Sequence, residues 1–461
     1  MPRFLASRPD SRLIPLPWQT PLAQWPVENL VALPRGISRH VVRFIKVGSS
    51  VYAAKEVIEH LAMHEYQMLT NLHRLDTPAV EPLAVVTDRV AEDGEPLDPI
   101  LITRHLEFSL PYRSLFDHGV RPDTVTRLVD AMVVLLARLH LVGFVWGDVS
   151  LSNVLFRRDA GEFAAYLVDA ETAEMHEELT DGQRENDLQV ASVNLYGEFC
   201  DLEAGGMLDP SLHPMALVDS IMVRYHELWA ELTGVEEFPG SEVARIENRV
   251  RRLNAMGFDV AEMDLQTTPD GSHIRIQPKV VDAGHHSRLL LRLTGLDTEE
   301  NQARRLLNDM MTFRWRTGQQ HVDEAVVAHQ WLTECFQPVV NAVPAELRGK
   351  RDAAQIFHEV LDYRWYQAQR ESREVPLMEA AEGYINDVLR SLPDERRNLT
   401  MVPPHPDERQ LANPFDPSQG FADDEDGPPP VDPWEAEADD AADAGVLDIA
   451  ALRAKAKGHS A

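Results

Sequence analysis

The 461-residue chain carries 75 acidic against 44 basic residues, a formal charge of −31 that disfavours nonspecific attraction to nucleic acid or to an anionic membrane. Two cysteines, Cys200 and Cys335, cannot form a disulfide framework and read as buried small hydrophobes in a reducing compartment. The N-terminal stretch has no apolar run long enough for a signal peptide, and no window approaches a membrane span, so a cytoplasmic protein of two or three domains is expected.

Residues 1–30 contain Pro and Trp without a period and read as an extended arm on the surface of the first domain. From Val31 to Val57 apolar alternation broken at Gly48-Ser-Ser indicates strands, with Gly36 before the first clear run and Lys55 near the end. The stretch IEHLAMHEYQMLTNLHRL is helical by period and carries Glu59 and Glu65. Strands around Leu83–Thr87 and Ile100–Thr103 follow, separated by the polar turn AEDGEPLDP.

Val125, Leu128, Val129, Met132, Leu135, Leu136 and Leu139 fall at helical spacing, which makes Gly143 the exit from a buried helix. A loop then carries Asp148 and Asn153. Two apolar runs flank the turn-like Arg157-Arg-Asp-Ala-Gly161 as a short hairpin, and its second strand delivers Asp169 and Glu171. A helix is expected from Asp187, which is either a helix cap or a buried contact.

Beyond Ser241 the character changes. An amphipathic helix over SEVARIENRVRRLNAMGF, residues 241–258, precedes a β-hairpin about Thr268-Pro-Asp-Gly. Helices are expected over HHSRLLLRLTG and then from Asp297 to Gly318, the latter with Asp297 and Glu300 in capping-box spacing. Further helices are expected at 320–336, 351–372 and 377–391. Arg275, Lys279, His285, His286, Arg288 and Arg292 form a local basic cluster, read either as surface charges paired with the abundant acids or as a phosphate or carboxylate site at a helix start. From Asn398 fourteen acids against four bases, with much Pro, indicate a disordered acidic tail, a possible contact for a protein partner.

Asp148-x4-Asn153 on a loop after a helix, followed by a hairpin ending in Asp169, resembles the catalytic core of the kinase-like fold. That group includes lipopolysaccharide-core (Kdo) kinases, RIO kinases and the relatives of aminoglycoside phosphotransferases. The resemblance spans roughly residues 31–230, and the whole is similar to bacterial proteins in which such a domain precedes one of unknown function. It implies an α+β, two-lobed protein-kinase-like fold followed by a mostly helical domain with one β-hairpin. The boundaries would be an arm at 1–30, a small lobe at 31–107, a large lobe at 108–235, the helical domain at 240–395 and the tail at 398–461.

It also implies ATP and Mg2+. Asp148 would meet the acceptor hydroxyl, Asn153 and Asp169 would ligate magnesium, and Glu171, two residues along the strand, would add to the metal site. Lys55 would contact phosphate with Glu65 as its partner, Glu59 being the competitor, Gly36 would lie in the phosphate-covering loop, and Thr103–Glu107 would be the hinge facing adenine. Trp146 stands where His is common, and Ala170 where Phe is common; neither removes a ligand. The short stretch from Thr172 to Asn186 has no Ala-Pro-Glu anchor, which points to a small hydroxylated acceptor rather than a peptide. The alternatives are a nucleotide-binding pseudokinase acting as scaffold or regulator, and an atypical protein kinase.

Overall fold

Apolar alternation on both sides of Gly48 builds the centre of a six-stranded antiparallel sheet in the computed structural model. Its strands are β1 (Arg3–Ala6), β2 (Leu30–Val31), β3 (Val41–Val47), β4 (Ser50–Glu56), β5 (Pro82–Thr87) and β6 (Ile100–Arg104), in the order β1-β5-β6-β4-β3-β2. Described with side chains are residues 2–6, 10–31, 33, 40–48, 50–116, 120–234 and 284–395, and by backbone alone 236–239, 258–267 and 273–283. Gly36, the helix expected at 241–258 except for its last residue, and the acidic tail lie outside the described residues. The chain divides into two units, Met1–His405 and Pro406–Ala461, and all that is described belongs to the first.

The N-terminal segment is more than a surface arm. Its β1 pairs with β5 as the sheet's edge, and Leu13, Trp18, Leu22 and Trp25 are buried against one sheet face with Ile45, Ala54 and Ile102. Two T-shaped ring contacts, Phe4–Trp18 and Trp18–Trp25, take the place of a periodic pattern. Buried Arg89 fixes the segment by donating to the carbonyls of Trp18 and Thr20 and to Glu56. Helix α1 (Glu59–Arg74) covers the other face.

The large lobe is built on α2 (Pro122–Leu141), whose apolar residues are buried among α3 (Asp181–Ala204) and α4 (Pro214–Thr233). Helix α3 begins earlier than expected, because Thr180 and Gln183 form a capping box. Asp187 therefore sits inside the helix, not at its cap. A three-stranded sheet joins β7 (Ser109–Pro111) to the hairpin β8 (Val154–Asp159) and β9 (Glu162–Leu167), in the order β9-β8-β7. Gly143 and Gly147 hold φ of +80° and +76°, and a Cβ on Gly143 would lie 2.1 Å from the carbonyl oxygen of His176. Only glycine lets this loop lie so close against residues 172–176.

A second sheet follows from β10 (Glu236–Pro239), β11 (Phe258–Thr267) and β12 (His273–Ala283), ordered β10-β12-β11, so the expected hairpin gains a third strand. Helices α5 (His285–Thr294), α6 (Glu300–Arg316), α7 (Glu324–Trp331), α8 (Gln337–Ala342), α9 (Ala353–Glu371) and α10 (Leu377–Asp387) enclose a separate core around Trp331, Phe357 and Tyr384. Leu332–Phe336, between α7 and α8, is a π turn, as expected where Pro338 cannot donate to the carbonyl four residues back. The two-lobed kinase-like arrangement followed by a mostly helical domain is thus the architecture observed.

Two local expectations are corrected. Helix α6 is capped by Glu299 with Gln302, not by Asp297 with Glu300, because Glu300 is engaged elsewhere. Cys200 and Cys335 are free and half-buried rather than enclosed. Among the described residues, no helix is long and apolar enough to cross a membrane.

Candidate active site

A cleft of about 290 Å3 opens between the lobes, lined by Lys55 and Glu65 from the small lobe and by Asp148, Asn153 and Asp169 from the large one. Strand β4 turns Lys55 inward, and α1 brings Glu65 beneath it. The lysine Nζ donates to Glu65 Oε2 at 2.9 Å, to Asp169 Oδ2 at 2.8 Å and to Glu171 Oε2 at 3.1 Å. Glu59, the competing partner, sits in the exposed first turn of α1. Burial alone would favour a neutral amine, but the carboxylates of Glu65 and Asp169 outweigh it and raise the Lys55 pKa. Glu65 is 2 % exposed; burial, aided by the charge of Asp169 and opposed by Lys55, pushes it up to about 8.

Carboxylate oxygens of Glu65, Asp169 and Glu171 lie within 4.8 Å of one another, a group that could hold a metal ion, with the Lys55 ammonium serving all three. Glu171 is also 2.8 Å from His40 Nε2, which ties the turn after β9 to the residue before β3. Asp169 Oδ1 accepts the Glu171 amide at 3.0 Å, which fixes the carboxylate's orientation.

On the opposite wall, Asn153 Nδ2 donates to the Asp148 carbonyl at 3.0 Å and to Asp148 Oδ2 at 3.2 Å. Both bonds use the amide nitrogen, which leaves Oδ1 as the atom for a cation. Asn194 Nδ2 donates to Asp148 Oδ1 at 3.2 Å and to the Val149 carbonyl at 3.1 Å. Glu198, one turn further along α3, accepts from the amides of Leu151 and Ser152 at 2.6 and 2.9 Å. Asp187 accepts from the amides of Trp146 and Gly147 at 3.0 and 2.7 Å and pairs with buried His140 at 3.0 Å. With Nε2 of His140 donating to that carboxylate, Nδ1 accepts from Tyr225 at 2.6 Å.

Sequence reasoning missed Asn194 and Glu198, yet a signal was there. Asp187, Asn194 and Glu198 recur every seven and four residues, placing three polar groups on the face that otherwise buries Leu188, Ala191, Leu195 and Leu202. His40 carried no such signal. Trp146 fills its position without exposure, and its indole Nε1 donates to the Asp169 carbonyl at 2.9 Å, so this departure from the common pattern still contacts Asp169.

Val42, Phe44, Ala53, Leu101, Thr103, Leu155 and Val168 supply the apolar part of the cleft. The expected hinge carries His105, which meets Phe44 edge-on at 5.4 Å between ring centres, and burial lowers its pKa to about 4, so it is neutral.

Two described members of the basic cluster at 275–292, His286 and Arg288, face carboxylates. Glu300 already accepts from the amides of His286 and Ser287 at 2.9 and 3.0 Å and lies 2.5 Å from His286 Nδ1, so a carboxylate occupies the start of α5. Arg288 faces Asp76 at 4.0 Å. The side chains of Arg275 and Lys279 lie outside the described residues.

Comparison with known proteins finds two family matches along the chain. Residues 43–194 match the Lipopolysaccharide kinase (Kdo/WaaP) family, and residues 227–389 match a Domain of unknown function (DUF4032). No curated protein matches significantly. Among solved structures, WaaP in complex with acyl carrier protein is similar at 16% identity, covering 55% of this chain and 99% of that one, with a TM-score of 0.33. The family match at 43–194 supports a kinase-like phosphotransferase domain in this region.

Proposed function

We propose that the protein transfers the γ-phosphoryl group of ATP, with Mg2+, to a hydroxyl of a small molecule such as a sugar or a lipid head group. The observation that carries the reading is Lys55 bonded to both Glu65 and Asp169 across a cleft that Asp148 and Asn153 also line. The donor set suits magnesium, which prefers a few carboxylate or amide oxygens and leaves its other positions to phosphate and water. Asp169 and the Asn153 amide oxygen would hold it, with Glu171 adjoining, and the ion when bound would neutralise phosphate charge.

The chain's own residues do the rest. Lys55, held by Glu65, donates to phosphate oxygens. The apolar cleft walls and the hinge backbone seat the base. Asp148, oriented by Asn153 and Asn194, accepts the acceptor's proton as its oxygen bonds to the γ-phosphorus and the bond to the β-bridging oxygen breaks. Only residues 172–180 separate the site from α3, which favours a small acceptor over a peptide. A cytoplasmic location, where ATP is abundant, goes with this reading.

Calorimetry of Mg-nucleotide binding, comparing wild type with Asp169→Ala, tests it together with turnover of Asp148→Asn on a metabolite library. Loss of magnesium-dependent affinity in the first, and a fall in rate on the order of 10²–10⁴-fold in the second, are expected. Equal magnesium-dependent affinities would sink the ligand assignment. Nucleotide binding without turnover on any acceptor would favour a regulatory pseudokinase.

A further inference from the structure

The closed end of the hairpin β8–β9 is exposed at Gly161 and Glu162 but buried at Asp159. Asp159, 3 % exposed, sends its carboxylate into the start of α6, where Oδ2 accepts from the amide and side chain of Asn301 at 3.1 and 2.8 Å. Its Oδ1 accepts from the amide of Gln302 at 2.7 Å. Both backbone donors belong to the first turn of α6, so the hairpin supplies a cap to a helix of the other domain.

Around this contact the turn's own polar groups are met one by one. Gln355, at the start of α9, pairs with both the amide and the carbonyl of Ala160 at 3.0 and 3.2 Å. Gln302 Nε2 donates to the Arg158 carbonyl at 3.0 Å. Glu299 accepts from the Tyr166 hydroxyl at 2.7 Å and pairs with Arg157 at 2.8 Å, while Arg158 and Arg351 share Glu395 at 2.7 and 2.9 Å. Two helix starts and the end of the domain thus converge on one hairpin tip.

An apolar contact of the same area would hold two domains together at least as well, because buried ion pairs recover little beyond their desolvation cost. What the polar contact adds is register, since a shift by one residue would strand several buried charges at once. The hairpin it fixes begins beside Asn153 and ends two residues before Asp169. Six paired residues at about 3.4 Å each separate the tip from the cleft by roughly 20 Å.

We propose that Asp159, Arg157 and Tyr166 are positioning residues, through which the helical domain holds the hairpin that carries Asn153 and Asp169 and so sets the geometry of the nucleotide site. The inference rests on the reading of those two residues as cation ligands. By reciprocity, filling the cleft steadies the starts of α6 and α9.

The full chain is tested as wild type, Asp159→Asn, Tyr166→Phe and a core variant such as Val339→Ala chosen to match the loss of melting temperature. Two quantities are read: hydrogen exchange across 153–169, and the magnesium concentration giving half-maximal binding of a non-hydrolysable ATP analogue. Asp159→Asn should raise that concentration about 5- to 20-fold, a typical span for coupling between sites, and speed exchange along the whole hairpin. Tyr166→Phe should do so more mildly, while the matched variant stays within about twofold. In wild type, the magnesium-bound analogue should slow exchange at 300–305 and 353–357. An equal magnesium shift in the matched variant overturns the proposal, as does a nucleotide complex that leaves those helix starts unchanged. If wild type binds no nucleotide, the proposed function fails by itself. Exchange then decides alone, since faster exchange reaching 153 and 169 supports the positioning role and an effect confined to 157–162 refutes it.

Discussion

Replacing Lys55 by Met should turn a satisfied cluster into an anionic one. Its ammonium is the cation shared by Glu65, Asp169 and Glu171 at 2.8–3.1 Å. Removing one partner of a buried pair costs about 3–5 kcal/mol when the other charge stays. Here part of that cost is relieved. Glu65, already pushed up to about 8 by burial, takes a proton. Asp169 and Glu171 then remain as like charges within 4.8 Å, a repulsion of about 3.5 kcal/mol at an effective dielectric of 20, which the partial exposure of Asp169 screens further. A net loss of roughly 2–3 kcal/mol follows, or a fall in melting temperature of about 5–10 °C at 2–4 °C per kcal/mol. Millimolar Mg2+ should return part of that loss in Lys55→Met, because the charged carboxylates of Asp169 and Glu171 then face an ion with no ammonium between them, and should do less for wild type. Scanning calorimetry over a magnesium series measures both effects. A variant that melts with wild type, or whose melting ignores magnesium, would refute the view that Lys55 holds this cluster together.

Two further outcomes follow from the same geometry. Trp146→Phe removes the indole donor from the Asp169 carbonyl and should cost about 1–3 kcal/mol while weakening Mg-nucleotide binding beyond a matched core variant; lowered melting with unchanged affinity would reduce Trp146 to packing. Burial, with the charges of Asp169 and Glu299 respectively, holds Glu65 at about 8 and Asp159 at about 7, so the folded chain binds more protons than the unfolded one between their ordinary values and those. Stability should therefore fall as pH rises from 6 to 8, by at most about 1.4 kcal/mol per pH unit for each proton. Neutral His105 offsets one of these protons below pH 6.5, where the unfolded chain takes up its own, so urea midpoints should still fall across pH 5 to 8, and a rise from pH 6 to 8 would contradict the assignment.

What the sequence made legible was local. Lys55 and Glu65 are ten residues apart on a strand and the helix after it, and Asp148, Asn153 and Asp169 lie within one loop and hairpin, so spacing and period alone bring them near one another. Gly36, by contrast, lies outside the described residues. The N-terminal segment was misjudged as surface because its burial comes from paired indoles and from Arg89, about seventy residues away, not from any period. The Asp297–Glu300 cap failed for a related reason: a carboxylate one turn into a helix can serve that helix or the neighbouring one, and Glu300 serves α5.

The hairpin tip is the sharpest case. Arg157-Arg-Asp-Ala-Gly161 has the composition of an exposed turn, and the partners that bury it stand 142 and 195 residues further along the chain. A charged turn that meets water and one that caps a distant helix obey the same local rules. The difference lies in the partner's side, where Glu299, Asn301 and Gln302 open α6 with more hydrogen-bonding groups than one helix start needs for itself. Surplus capping chemistry at one helix start and a charged turn in the hairpin β8–β9 are each ordinary in sequence, and only together do they tie the domain of unknown function to the hairpin that runs between Asn153 and Asp169.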